Sequence, residues 1–209
     1  MRLVLASNNA KKLRELQALF GPAGLELVAQ GALGVAEVDE PFATFVENAL
    51  QKARHAAREA GEAAIADDSG LCVFALGGAP GVDSAHYASI ARQGGDREAH
   101  RRDQDAANNA LLLQRLRGHP DRRAQFVSTL VALRAADDPQ PLVAVGRWDS
   151  EILEAPRGDG GFGYDPLVLV SALGKTVAEL DPATKNAFSH RAIACRRMLA
   201  LMQEAWLAG

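Results

Sequence analysis

Three short apolar runs, residues 2–6, 25–29 and 63–66, are separated by two segments with helical periodicity. In the first segment, "KKLRELQALF", Leu13, Leu16, Leu19 and Phe20 recur at helical spacing. In the second, residues 41–61, Pro41 suits a first turn, Phe45, Ala49, Ala53 and Ala56 line one face, and Gly61 is a stop signal. Neighbouring parallel strands need a crossover between them, and a helix is the usual one. The order therefore predicts a partly parallel sheet with helices packed on it.

The second half of the chain reads differently. A charged helix is predicted over 96–118. Strands are predicted over 70–76, 124–136, 141–148, 151–154 and 167–170, joined by turns such as "DDPQP" and "DS". The last helix begins near Ser189 and carries Ala192, Cys195, Leu199, Met202 and Trp206 on one stripe. The expected fold is α/β, a mixed sheet flanked by helices. Residues 1–209 are expected to form a single domain.

Composition excludes several classes. Of 209 residues, 48% are hydrophobic and 23% charged, so the chain can bury a core and is not disordered. A net charge of −3 argues against a nucleic-acid backbone as partner, and Arg97, Arg101 and Arg102 are interleaved with acids. No stretch approaches the ~20 apolar residues of a membrane span. The apolar run at the N-terminus is too short for a signal peptide. A cytoplasmic protein is expected, with Cys72 and Cys195 as reduced core residues. "GKT" at 174–176 is not a P-loop, because Leu169 stands where that motif needs glycine. The five histidines have no zinc spacing.

Four stretches can carry chemistry. "SNNAKK", Ser7 to Lys12, lies between a strand and a helix, where free N–H groups and lysines suit phosphate; Ser or Asn capping the helix is the plainer role. Asp67-Asp68-Ser69-Gly70 interrupts an apolar run. A carboxylate there can hold Mg²⁺ or take a proton from water, and the same residues also make a good turn. Asp39 and Glu40 precede Pro41, either as charges favourable to a helix N-terminus or as partners of Asp68 in a metal site. The loop "GGFGYDP" offers Phe162 and Tyr164 as rings for a flat base, and Lys185, His190 and Arg191 bring donors near a helix start.

The ordered set "SNNAKKLRELQALF", "TFVENALQKARHAA", "IADDSGL…LGGAPGVDSAHYA", "GGFGYDPL" and "KNAFSHRA" resembles the inosine/xanthosine triphosphate pyrophosphatase family, from about residue 2 to the last helix. The resemblance implies an elongated mixed sheet with two lobes around a substrate cleft, a homodimer, and Mg²⁺-dependent conversion of a deaminated purine nucleoside triphosphate (dITP, ITP or XTP) and water into monophosphate and pyrophosphate. It also implies site residues. Ser7, Asn8, Asn9, Ala10, Lys11 and Lys12 would contact substrate, chiefly its phosphates. Asp68 would be the catalytic aspartate and a metal ligand, and Ser69 a substrate contact; in the mechanism expected from these roles, Asp67 is the supporting acid. Phe162, Gly163, Tyr164 and Asp165, with Lys185, His190 and Arg191, would line the base and sugar side.

The pattern departs from the family at two places. Asp39-Glu40 stands where two glutamates are usual, followed by Pro41-Phe42 in place of Thr-Gly. Asp39 aligns with the first acid and is expected as the metal ligand, with Glu40 able to share or take over that role. His86 stands where an arginine is common. Competing functions are a pyrophosphatase for modified pyrimidines, a nucleotide-binding module without turnover, and a nucleic-acid-binding protein.

Overall fold

The computed structural model describes residues 1–91 and 97–206. Its first half follows the predicted alternation: β1 (Arg2–Leu5), α1 (Ala10–Phe20), β2 (Glu26–Ala29), α2 (Phe45–Ala60) and β3 (Ala64–Val73). β1 pairs parallel with both β2 and β3. The chain continues through α3 (Arg97–Arg115), β4 (Arg123–Leu133), β5 (Leu142–Ile152), β6 (Val168–Val170), β7 (Lys175–Thr176), α4 (Pro182–Phe188) and α5 (His190–Ala205). β6 pairs antiparallel with β5 and with β7. The sheet order is β2-β1-β3-β4-β5-β6-β7, a mixed sheet accompanied by α-helices, as the α/β reading expected.

Several predicted boundaries move. The segments 63–66 and 70–76 are not two strands with a turn between them: β3 runs unbroken through Asp67, Asp68, Ser69 and Gly70. The "DS" pair at 149–150 is likewise no turn, because β5 continues through it and Ser150 Oγ donates to the Ala124 carbonyl at 3.2 Å. α2 starts at Phe45 rather than Pro41. Thr44 caps it by accepting from Glu47 N, and Gly61 closes it at φ 66°, a left-handed conformation that favours glycine. The short elements β7 and α4 are additional to the predicted ones. Of the helix predicted over 96–118, Asp96 lies outside the described residues.

The chain divides into two compact units. The first takes in the described residues of Met1–Asp68, Ser128–Arg147 and Asn186–Gly209; the second takes in those of Ser69–Val127 and Trp148–Lys185. Strand alternation organises the first unit. Leu3, Leu5 and Ile65 point to one face and pack with Leu16 and Phe20 of α1 and Ala194, Met198 and Met202 of α5. Val4, Ala64 and Ala66 point to the other face and pack with Ala49, Ala53, Ala56 and Ala57 of α2. In the second unit, Leu71 and Val73 of β3 join Leu112, Leu116, Phe126, Trp148, Tyr164 and Leu167.

At Gly146 of β5 the backbone of α5 comes close to the sheet. A Cβ added there would run into the His190 carbonyl oxygen and stand 2.6 Å from Ala194 N. Both obstacles are helix backbone, which cannot swing aside as a side chain can. Gly146→Ala is therefore expected to cost about 3 kcal/mol, the upper end of overpacking effects. Urea unfolding checks this, the midpoint falling while the slope stays constant.

Candidate active site

The continuity of β3 sets the geometry of the two aspartates. Neighbouring side chains on a strand face opposite ways. Asp67 follows Ile65 toward α1 and α5, and Asp68 follows Ala66 toward α2.

Asp67 is 1% exposed. Its Oδ1 accepts from Ser128 Oγ at 2.7 Å, and its Oδ2 accepts from Arg191 Nε at 3.0 Å. Arg191 Nη2 is also 3.0 Å from that oxygen, and Lys12 Nζ is 3.3 Å away. Arg191 Nη1 reaches Glu15 of α1 as a second ion pair. Burial by itself would raise the Asp67 pKa, but Arg191, Lys12 and the Ser128 hydroxyl outweigh it and hold the carboxyl well below the usual carboxylate range. Asp67 is thus a permanently ionised anchor.

Asp68 has the opposite character. It is 6% exposed, and Lys52 Nζ of α2 stands 2.9 Å from its Oδ1 and 2.6 Å from Glu40 Oε2. Burial pushes Asp68 up to about 6; Lys52 opposes the rise, and the hydrogen-bonded Glu40 carboxyl adds to it. Burial would also raise Glu40, but Lys52 prevails and lowers it. Lys52 itself is desolvated, yet the two carboxylates hold it above its ordinary value. Lys12 is lowered, because burial, with the Arg191 and Lys52 charges, outweighs the pull of Asp67. Both lysine ammonium groups also donate to the Asp67 carbonyl, each at 3.3 Å.

Of the two expected metal-site acids, Glu40 is the one that meets Asp68. Asp39 is exposed, and its carbonyl accepts from Gln51 Nε2 at 2.8 Å. Asn48 clamps the following turn, with Phe42 N donating to its Oδ1 and its Nδ2 donating to the Phe42 carbonyl, both at 3.0 Å. The metal fit rests on one orphaned atom: Asp68 Oδ2 is buried with no hydrogen-bond donor facing it. Two carboxylates with an unsatisfied oxygen suit Mg²⁺, which is commonly held by one or two carboxylates plus substrate phosphates. Among the described residues, no three Asp, Glu, His or Cys side chains converge to make a complete protein cage.

The loop before α1 is self-capped. Ser7 Oγ accepts from Asn9 N at 3.1 Å; Asn9 Oδ1 accepts from Lys11 N at 3.0 Å and Lys12 N at 3.2 Å. The capping role therefore holds for Asn9, and two of the helix N–H groups expected to meet phosphate already have an acceptor. Asn8 Oδ1 accepts from Gly31 N at 2.9 Å, and Ala10 opens α1. Ser69 follows Asp68 on β3, half-buried.

In the second unit, Asp165 Oδ2 accepts from Phe162 N at 3.0 Å and from Lys185 Nζ at 2.9 Å. The Lys185 ammonium lies 4.6 Å from the centre of the half-buried Phe162 ring. Gly163 bonds to two residues of α3, Asp105 and Asn109. Tyr164, expected as a ring for a base, is instead a core residue: it is 4% exposed and its hydroxyl donates to the Ser84 carbonyl at 3.0 Å. Arg191, expected on the base side, has its guanidinium on Asp67 and Glu15. His190 is buried at the start of α5, next to its cap Ser189.

The sequence reading assigned no role to Lys52, Glu15, Asn48, Asp105 or Asn109. Lys52 had a signal, since it adjoins Ala53 on the buried stripe of α2. A cation that borders a buried helix face needs a polar partner there.

Residues 3–201 match the Ham1 family. The chain belongs to that family. It is 69% identical over 208 residues to the dITP/XTP pyrophosphatase of Methylibium petroleiphilum, covering 100% of both chains. The structure of a HAM1 protein from Coxiella burnetii matches with a TM-score of 0.87 at 40% identity, covering 98% of this chain and 100% of that one. The Staphylococcus aureus Ham1 protein matches with a TM-score of 0.82 at 35% identity, covering 98% and 99%. Among the described residues, no helix is long and apolar enough to cross a membrane.

Proposed function

We propose that this chain is a nucleoside triphosphate pyrophosphatase that hydrolyses deaminated purine nucleotides, dITP, ITP and XTP, to the monophosphate and pyrophosphate. The observation that carries the chemistry is Asp68, a buried carboxylate raised to about 6, with one oxygen facing no donor. Such a group can orient a water and take its proton. The names of its relatives support the substrate class.

In this reading water attacks the α-phosphorus. Its oxygen bonds to phosphorus, its proton goes to Asp68, and the bond to the β-phosphate breaks. Glu40 and Asp68 would hold Mg²⁺, which supplies charge neutralisation to the phosphates when bound. Lys12 and Lys52 add fixed positive charge toward the phosphates. Asp67 takes no proton; ionised and locked by Arg191 and Ser128, it keeps Lys12 in place. Ser7 to Lys11 and Ser69 are proposed phosphate-side contacts. Phe162, Gly163, Asp165, Lys185 and His190 are proposed for the base and sugar. The chain is further proposed to be a cytoplasmic homodimer, on the family resemblance.

Selectivity follows from hydrogen-bond chemistry. Inosine and xanthosine present a six-position carbonyl and an N1–H, whereas adenosine presents an amino group and a bare nitrogen; guanosine shares the carbonyl and the N1–H, so its rejection must use the two-position amino group. A mismatched buried donor or acceptor can discriminate by up to ~10⁴-fold. The test is pyrophosphate release from dITP, XTP, ATP, GTP and dUTP, with Mg²⁺ and with chelator. Mg²⁺-dependent release from dITP and XTP, with ATP and GTP nearly untouched, is the expected result. Release from none of them overturns the enzyme reading, and release from dUTP alone overturns the purine reading.

A further inference from the structure

Three consecutive polar contacts fix the backbone around Phe162. Phe162 N donates to Asp165 Oδ2 at 3.0 Å, Gly163 N donates to Asp105 Oδ2 at 2.9 Å, and Asn109 Nδ2 donates to the Gly163 carbonyl at 2.9 Å. Each contact belongs to a different peptide group: 161–162, 162–163 and 163–164. The peptides on both sides of the Phe162 Cα are therefore held, and so is the direction in which its side chain leaves the backbone. Gly163 sits at φ 62°, in the left-handed region, and glycine is the residue that adopts this without strain. The Phe162 carbonyl also accepts from Asp165 N at 3.2 Å, so the two α3 side chains add to a turn that the loop partly closes by itself.

Asp105 and Asn109 are one helical turn apart on α3, so they project on the same side of that helix. One accepts from the N–H of Gly163 and the other donates to its carbonyl. Helix α3 thus grips one residue at both of its polar groups.

We propose that Asp105 and Asn109 are positioning residues that set the Phe162 ring for recognition of the purine base. This rests on the base-side role proposed above for Phe162. Both residues act through Gly163 and not on the phosphates, so they govern how tightly the base is held. Binding of the pyrophosphate end is independent of them.

The test uses the full chain with Asp105→Ala, Asp105→Asn and Asn109→Ala, assayed for dITP hydrolysis and for inhibition by the two products. Asp105→Asn keeps an acceptor oxygen for Gly163 N, whereas Asp105→Ala does not. Loss of either contact is expected to raise KM for dITP about 10-fold with kcat within about 2-fold of wild type, the pattern of lost ground-state binding. The inhibition constant of deoxyinosine monophosphate should rise in parallel, and that of pyrophosphate should stay constant. Asp105→Asn should behave as wild type. Unchanged KM and deoxyinosine monophosphate inhibition in both alanine variants overturns the proposal, as does equal weakening of both products. A wild-type protein that hydrolyses none of the triphosphates overturns the enzyme reading and this role with it. A wild-type enzyme with unaffected variants overturns this role alone.

Discussion

Asp68→Asn is expected to lower dITP turnover by ~10²-fold or more, the scale of a lost acid–base group. The variant should unfold at close to the wild-type temperature. An asparagine occupies the same volume, and its side-chain oxygen can still accept from Lys52, which stands 2.9 Å from Asp68 Oδ1 in the native chain. It cannot take a proton from water, and it no longer gives Mg²⁺ a second charged oxygen beside Glu40. The measurement is steady-state kinetics at saturating dITP and Mg²⁺, paired with a thermal melt. Wild-type turnover in a folded variant would remove Asp68 from the mechanism and leave the chain's chemistry without its central group.

The largest effect on stability is expected one residue earlier. Asp67→Ala should destabilise the fold by about 3–5 kcal/mol, the scale for leaving a buried charge without its partner. For a chain of this length that is a Tm fall of roughly 10–15 °C. The stranded charge is Arg191, which is 3% exposed and would lose the carboxylate that its Nε and Nη2 both face. Ser128 Oγ would lose its buried acceptor, and Lys12 would lose the carboxylate it faces. The double variant Asp67→Ala with Arg191→Met should recover part of the loss, because the uncompensated charge goes with it. Thermal and urea unfolding of the three variants measure the coupling. Additive losses would mean that the Asp67–Arg191 pair contributes nothing beyond its separate side chains. The two aspartates are adjacent, yet one substitution is expected to act on turnover and the other on stability. That contrast comes from the pleat, which sends one carboxylate into a cation cage and the other to a carboxylate neighbour.

Two departures of the fold from local turn chemistry share a physical cause. Asp-Asp-Ser-Gly is good turn chemistry, and in isolation the segment would bend. In the folded chain, β3 stays extended because Asp67 finds Arg191, 124 residues away, and Ser128, 61 residues away. Local propensity has no access to partners at that separation. The "DS" pair in β5 failed as a turn for the same reason, with Gln125 donating to Asp149 and Ser150 bonding to the Ala124 carbonyl. The start of α2 is different, because its signal is local. Thr44 with Glu47 three residues on is a capping pattern, and it outranks Pro41 as a beginning.

The sequence by itself determined the alternation of strands and helices through the first half of the chain, the mixed character of the sheet and the stop of α2 at Gly61. It also singled out Asp68, Lys12 and the 160–166 loop as places of interest. These are properties of periodicity, turn residues and spacing, and they are written within a few residues of where they act. Only the tertiary structure decided which of the two aspartates is caged and which is poised, that Glu40 and not Asp39 reaches Asp68, and that Tyr164 is core. It alone brought Lys52, Arg191 and the α3 pair to their partners. Charge pairing and desolvation depend on distance in space, and a linear chain does not contain that distance until it has folded.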